Sequence, residues 1–174
     1  MKAGVALLTL LVTVGAVAED KPDPWEPVRF MLGNWQGEAS GEPGKGNVER
    51  TYEWTLANKF IKEANTSRYE SRDGKPPEIH KHDGYISYDK ATKTVMLRHF
   101  HEEGFVNLYA LNKAASSKSR VVFESVSFEN FSNEWKARET YEIVSADEFI
   151  ETFELAAPGK EFAVYSRNQF KRRK

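Results

Sequence analysis

The stretch HKHDGYISYDKATKTVMLRHFH, residues 80–101, contains two segments of similar pattern joined by the polar link DKAT. Apolar residues occupy alternate positions next to the link, Ile86 and Tyr88 before it and Val95 and Leu97 after it. Alternation with a period of two is typical of a strand that has one buried face. Two such segments with a four-residue link predict an antiparallel hairpin.

The same pattern recurs from residue 34 to the end of the chain, with Gly, Pro, Asn and Asp between the segments. The predicted strands are 34–41, 47–56, 59–69, 80–88, 93–101, 105–112, 119–128, 135–144, 147–155 and 162–172. A short helical turn over 24–32 precedes them. Short links favour an antiparallel meander, and closing it into a barrel leaves no free sheet edge. The sequence therefore predicts an all-β barrel, with a two-sheet sandwich as the alternative of equal periodicity.

Composition narrows the functional classes. The 174 residues include 25 Lys and Arg against 26 Asp and Glu, a net charge of −1, and no cysteine. This length suits one domain. A balanced charge argues against nucleic-acid binding, which needs a basic face. The lack of cysteine excludes disulfides, thiol catalysis and cysteine-ligated metals.

Residues 1–18, MKAGVALLTLLVTVGAVA, have the features of a signal peptide. Lys2 precedes an apolar run, and Ala16-Val17-Ala18 has the small residues that signal peptidase prefers. We expect cleavage after Ala18, a mature domain over 19–174, a secreted or periplasmic location and no membrane contact after cleavage. A retained anchor is the alternative, although the run is short for a membrane span.

The hairpin holds every histidine of the chain. They are His80, His82, His99 and His101. With a loop at 89–92, Tyr88 opposes Lys93, and the same register pairs His82 with His99, His80 with His101 and Asp83 with Arg98. Opposed residues point to the same face, so all four imidazoles are predicted to cluster.

Imidazoles at positions i and i+2 of paired strands converge on one point, as zinc, copper and nickel require. The four histidines are therefore a candidate metal site. A partly solvated rim, in which each imidazole bonds to its neighbours, fits the same spacing.

Charged residues also alternate with aromatic residues on other predicted strands. Arg50 lies between Val48 and Tyr52 on one face, and Glu139 and Glu151 have similar neighbours. A charge on an apolar face is costly unless it is paired. We expect Arg50 to pair with Glu139 or Glu151 inside the barrel, with a surface ladder as the alternative.

The segment FMLGNWQGE, residues 30–38, resembles the opening of calycin barrels, where a short turn precedes Gly-x-Trp on the first strand. GNWQGEASG at 33–41 is similar to the G-x-W-x-G-x-G-x-G start of nitrobindin-like haem-binding barrels, and HDGY at 82–85 fits them too. The resemblance implies a barrel that holds a small, mostly apolar molecule. It also implies an Arg of the final strand, Arg167 or Arg172, over the indole of Trp35.

In nitrobindin-like barrels the final strand supplies the proximal histidine of haem. Matching this strand through Phe170 and Arg172 places Tyr165 at that position. Tyrosinate ligates ferric haem but does not support the ferrous NO chemistry attributed to the family. The predicted contacts of a bound guest are Tyr165, His82, His99, Arg50, Glu139 and Tyr109.

Two functions from different classes follow. The first is a secreted or periplasmic module that binds a small hydrophobic ligand, with haem as a candidate. The second is a metal- or acid–base-dependent enzyme that uses the histidine hairpin, with zinc as a candidate. No nucleophile–base motif or phosphate-binding loop supports the enzyme, so no residue is assigned as catalytic and the binding module is favoured.

Overall fold

The computed structural model describes residues 23–71, 74 and 76–174, which form ten strands and a short 3₁₀-helix at Glu26–Met31. The predicted signal peptide lies outside the described residues. In the described part of the chain, no helix has the length and apolarity needed to span a bilayer. The strands are β1 Gly33–Gly41, β2 Gly46–Thr55, β3 Phe60–Tyr69, β4 Glu78–Asp89, β5 Thr94–His101, β6 Val106–Leu111, β7 Arg120–Glu129, β8 Lys136–Ser145, β9 Glu148–Ala156 and β10 Ala163–Arg172.

Each strand pairs antiparallel with its neighbours in sequence, and β1 pairs with β10 to close the barrel. The predicted all-β meander barrel is confirmed, and the sandwich is excluded. Short links force consecutive strands to pair, and the pairing of Trp35 with Arg172 joins the two ends of the sheet.

The 3₁₀-helix plugs one end of the barrel, which we call the closed end. Val28 and Met31 of the helix are fully buried, and the Trp35 indole N–H donates to the Met31 carbonyl at 2.6 Å. The Arg172 guanidinium lies 4.2 Å from the centre of the Trp35 ring and donates to the Leu32 carbonyl at 2.6 Å. Arg172 therefore covers the indole, whereas Arg167, the other predicted residue, is exposed.

Aromatic side chains fill the closed end above this plug. The Phe149 ring packs edge-on against Trp35, with 4.6 Å between ring centres, and stacks on Phe170 at 4.8 Å. Both phenylalanines are fully buried. Because large rings from β1, β9 and β10 interlock, this half of the barrel is a packed core.

The predicted register of the β4–β5 hairpin is wrong by two residues. The last pair before the loop is Asp89 with Thr94, and His82 opposes His101 instead of His99. The Asp89 carboxylate accepts bonds from Ala91 N at 2.9 Å and Thr92 Oγ1 at 2.7 Å. These bonds hold Asp89 at the end of the strand and move the loop on by one residue.

The two-residue error leaves every side chain on its predicted face, because strand side chains alternate with a period of two. On the inner face it changes which histidines oppose each other, and on the outer surface it changes the partner of Asp83. Asp83 opposes Phe100 instead of Arg98, and its carboxylate lies 3.5 Å from Lys62 Nζ on β3.

Candidate functional site

The half of the barrel opposite the plug, which we call the open end, contains a cavity of about 500 Å³. Pockets that hold one small molecule have volumes of roughly 300–1,000 Å³. Aromatic and aliphatic side chains lie around the mouth of the cavity. They are Tyr69, Phe105, Phe128, Phe131, Phe153, Leu155 and Tyr165. Four exposed glutamates also line the cavity: Glu42, Glu70, Glu78 and Glu103.

Charged side chains separate this cavity from the packed aromatic core. We call them the polar layer: Arg50, Glu63, His99, Glu139 and Glu151. Each is at least 95% buried. Inward-facing positions of five different strands supply them, so only closure of the barrel brings them together.

Arg50 and Glu151 form a two-point ion pair in the polar layer. One guanidinium nitrogen of Arg50 donates to Glu151 Oε2 at 3.0 Å, and the other contacts Oε1. The same guanidinium lies 4.7 Å from the centre of the Phe170 ring beneath it. Of the two predicted partners Arg50 therefore takes Glu151, and Glu139 lies elsewhere in the layer. Exposed ion-pair ladders are excluded for these residues because both partners are buried.

His99 bridges two buried carboxylates. Its Nε2 lies 3.1 Å from Glu63 Oε2 and its Nδ1 lies 3.1 Å from Glu139 Oε1. The Tyr141 hydroxyl donates to the other Glu139 oxygen at 2.5 Å. A carboxylate only accepts hydrogen bonds, so this geometry suits an imidazolium that donates from both nitrogens.

Electrostatics support the charged form of His99. Burial lowers the pKa of His99, but the carboxylates of Glu139 and Glu63 outweigh burial and raise the pKa to about 10. Burial raises the pKa of Glu63, but His99 and Arg50 hold it well below its usual range. The polar layer thus contains three carboxylates and two cations.

Gly84 makes room for the contact between Glu63 and His99. It lies on β4, where it pairs with Glu63 of β3 on one side and His99 of β5 on the other. A Cβ atom at this position would lie 2.8 Å from Glu63 Oε2 and 3.0 Å from His99 Cδ2. A glycine between the two side chains therefore lets them meet across the middle strand.

The other three histidines line the wall of the cavity above the polar layer. His82 Nε2 lies 3.0 Å from Glu63 Oε1, and His80 Nε2 lies 3.3 Å from His101 Nδ1. Burial and the neighbouring imidazole of His99 lower the pKa of His82. Burial, with the imidazoles of His82 and His99, lowers the pKa of His101 to about 2. The four imidazoles form the predicted cluster, in which His99 is charged and His82 and His101 are neutral.

The two predicted tyrosines lie at different depths. Tyr109 is fully buried, and its hydroxyl accepts a bond from Asn107 Nδ2 at 2.9 Å. Tyr165 lies at the mouth with 38% of its surface exposed, on a bulge between Val164 and Ser166. Burial and the carboxylates of nearby glutamates raise the pKa of the Tyr165 phenol.

Sequence reasoning missed several polar residues of the site. Glu63 is fully buried, and Asn65, Ser67 and Asn168 also line the barrel interior. On β3 neither face is apolar, so alternation alone does not show that Glu63 points inward. Four buried side-chain atoms lack a hydrogen-bond partner within the described residues. They are His82 Nδ1, Asn107 Oδ1, Thr140 Oγ1 and Asn168 Oδ1.

A closed barrel with an open, partly polar cavity inside it defines a class of small-molecule-binding proteins. Residues 25–172 match the family of the THAP4-like, heme-binding beta-barrel domain. The chain belongs to this family. No curated protein matches it in sequence.

The solved structure of Rv2717c supports the same fold. Rv2717c from M. tuberculosis is 16% identical and has a TM-score of 0.64, with 89% of this chain and all of that chain covered. A redesigned β-barrel reaches a TM-score of 0.43 at 9% identity, over 86% of this chain and 96% of its own. A protein of the DUF3598 family from Nostoc punctiforme reaches 0.29 at 10% identity, over 88% and 100%. At 16% identity the likeness to Rv2717c concerns the fold alone, and the two lower TM-scores carry no argument.

Proposed function

We propose that the open end binds one small molecule that has an apolar body and a hydrogen-bond-donating or cationic end. The observation that carries this proposal is the two-zone cavity of about 500 Å³, with aromatic rings at its mouth and a charged floor. A guest of this kind buries its apolar body among the rings while its polar end replaces solvent at the floor.

The charges at the floor of the cavity favour a guest whose polar end donates hydrogen bonds over a guest that ends in a carboxylate. In the polar layer as a whole, three carboxylates outnumber two cations, and four exposed glutamates line the cavity as well, so a further negative charge would be repelled there. Asn168 also lines the cavity, and its amide oxygen has no hydrogen-bond partner within the described residues. An incoming N–H or O–H group gives this buried acceptor the bond that it lacks.

Haem is the guest that the family description names, and the fit of Tyr165 to its iron is poor. Tyrosine ligates iron as the phenolate. Burial opposes loss of the phenol proton, and so do the carboxylates of Glu78 and Glu42. Tyr165 also packs its ring edge-on against Phe153, with 5.8 Å between centres, which fits a role in the apolar mouth. We therefore derive no haem chemistry from Tyr165.

Three ligands of equal chain length test the polarity of the guest: decylamine, decanol and decanoate. Calorimetric titration in the presence of a metal chelator should rank their affinities in that order, with decanoate at least about tenfold weaker than decylamine because charge repulsion opposes its entry. Equal affinities, or a preference for decanoate, would contradict the proposal. Glu139→Gln removes one carboxylate with little change of shape and should narrow the difference in affinity between decylamine and decanoate.

Phe131→Ala tests the apolar mouth. Phe131 lines the cavity and is 46% exposed, so the barrel should tolerate the change. Loss of its contacts should weaken decylamine binding roughly 3–10-fold. Val144→Ala is the matched control, because Val144 is 55% exposed and lies outside the cavity lining. An equal effect of both changes would locate binding elsewhere.

Haemin titration tests the remaining candidate directly. We expect the Soret band of any haemin complex to be the same in the Tyr165→Phe protein as in the unchanged protein. A Soret shift that depends on the Tyr165 hydroxyl would overturn the argument against tyrosinate ligation.

We also propose that the protein is exported from the cytoplasm, because residues 1–18 have the features of a signal peptide. The mass of the protein recovered from the periplasm or medium of an expressing bacterium should correspond to a chain that begins at Glu19. An uncleaved chain in the cytoplasmic fraction would contradict export.

A further inference from the structure

We infer that His80, His82 and His101 form a binding site for a divalent metal of the zinc class, with an open coordination position facing the cavity. One ligand atom of each residue lies within 4.8 Å of those of the other two. His80 and His82 occupy alternate positions on β4, and His101 on β5 lies opposite His82. The site lies in the cavity wall, and the inference does not depend on the identity of the organic guest.

The spacing of the nitrogens suits a tetrahedral metal. His80 Nε2 and His101 Nδ1 are 3.3 Å apart. Zinc–nitrogen bonds of about 2.0–2.1 Å at the tetrahedral angle separate two ligand nitrogens by about 3.3–3.4 Å. These two nitrogens therefore need little movement to share one ion.

An unpaired ring nitrogen of His82 is a second, independent observation that points to a bound metal ion. Its side chain is 8% exposed, and its Nδ1 has no hydrogen-bond partner among the described residues. Leaving a buried polar atom unpaired is costly. The other ring nitrogen of His82 faces the Glu63 carboxylate, which requires the proton on Nε2 and leaves a lone pair on Nδ1.

Hydrogen bonds from residues around the site orient the rings of His80 and His101, as is usual for metal-binding histidines. His80 Nδ1 lies 2.8 Å from Glu103 Oε1, so the proton belongs on Nδ1 and the lone pair on Nε2. His101 Nε2 lies 3.2 Å from the Asn107 amide. A half-turn of this amide would present its unpartnered oxygen to an N–H at His101 Nε2, which leaves His101 Nδ1 free to ligate.

His99 is not a ligand in this arrangement, although it belongs to the same cluster. Both of its nitrogens lie 3.1 Å from carboxylate oxygens. A second trio, formed by Glu63, His82 and His99, also has closely spaced ligand atoms, but it needs a lone pair on His99, both of whose nitrogens donate to carboxylates. Three histidines with the fourth position open to the cavity would accept water or a polar atom of the guest.

Zinc chloride titrated into the chelator-treated full chain tests the site. We expect saturable binding of one zinc ion per chain by calorimetry. His80→Gln and His101→Gln should each weaken the affinity at least about 100-fold, more than the roughly 10–100-fold typical of losing an outer partner. Glu103→Gln, which changes only such a partner, should weaken it about tenfold. Lys81→Gln is the matched control, because Lys81 lies between two proposed ligands but on the exposed outer face.

Melting curves in the presence of a chelator verify that each variant is folded, so lost binding cannot be mistaken for lost structure. Cobalt adds a spectroscopic readout. The unchanged protein should develop the intense visible bands of tetrahedral Co²⁺, and His101→Gln should lack them. Absence of saturable zinc binding would overturn the inference. Unchanged zinc affinity in both His80→Gln and His101→Gln would also overturn it, because the ion would then belong to the Glu63 trio.

Discussion

The closed end and the open end of this barrel are built on the same strands, yet they are filled in opposite ways. At the closed end Trp35, Phe149 and Phe170 interlock around a helical plug. At the open end the same strands enclose a cavity of about 500 Å³ above the polar layer. The difference shows that a half-packed barrel can concentrate its hydrophobic stabilisation at one end and leave the other end for binding.

The polar layer forms the boundary between the two ends. Burying five charged side chains is costly, and the cost is offset only when each has a partner. Arg50 meets Glu151, and His99 meets Glu63 and Glu139. Because the charges are satisfied within the layer, the aromatic core can lie directly beneath it.

Phe149→Ala should have the largest effect on stability and should leave ligand binding at the open end almost unchanged. Removing this fully buried ring leaves a cavity in the core, and we expect the free energy of unfolding in urea to fall by about 3–5 kcal/mol. Decylamine affinity of the folded protein should change little. A comparable loss of affinity would show that the two ends are coupled.

Alkaline pH should have the second-largest effect on stability, because it weakens the polar layer. The pKa of His99 is raised from 6.5 to about 10, so its stabilising contribution is complete below pH 6.5 and is lost as the pH rises towards 10. We expect urea denaturation to show a fall of roughly a few kcal/mol between pH 7 and pH 10. His99→Gln should be less stable at pH 7 and should lack much of this pH dependence. Parallel pH curves for the two proteins would contradict a charged His99.

Gly84→Ala should have the smallest effect on stability and a clear effect on the open end. The added methyl would press on Glu63 and His99, and overpacking of this kind costs about 1–3 kcal/mol. The displaced Glu63 should release His82, so zinc affinity should fall as well. Gly84 is not among the described glycines with a positive φ, so the effect of the methyl group comes from crowding rather than from backbone strain. Normal zinc binding by the Gly84→Ala protein would show that Glu63 does not support the metal site.

Much of this fold could be predicted from local pattern. The ten predicted strands agree with the observed ones to within about two residues, because turn residues and alternation act over short distances. The hairpin register was harder to predict. It depends on two hydrogen bonds to the Asp89 side chain, and composition does not distinguish a loop at 89–92 from one a residue later.

The candidate site was predictable only where a polar residue stood among apolar ones. Arg50, Glu139 and Glu151 were noticed for that reason, but choosing Glu151 as the partner of Arg50 required the closed barrel. Glu63 escaped notice because the polar residues Asn65 and Ser67 follow it on the same face, where Ile61 is the nearest apolar residue.

The sequence by itself determined the strands, the faces of their side chains and the clustering of the four histidines, since each follows from period-two alternation and nearby turns. The tertiary structure alone decided which charges meet, which histidine is held between carboxylates and which end of the barrel is hollow. Those outcomes depend on contacts between residues far apart in the chain, and barrel closure sets their distances.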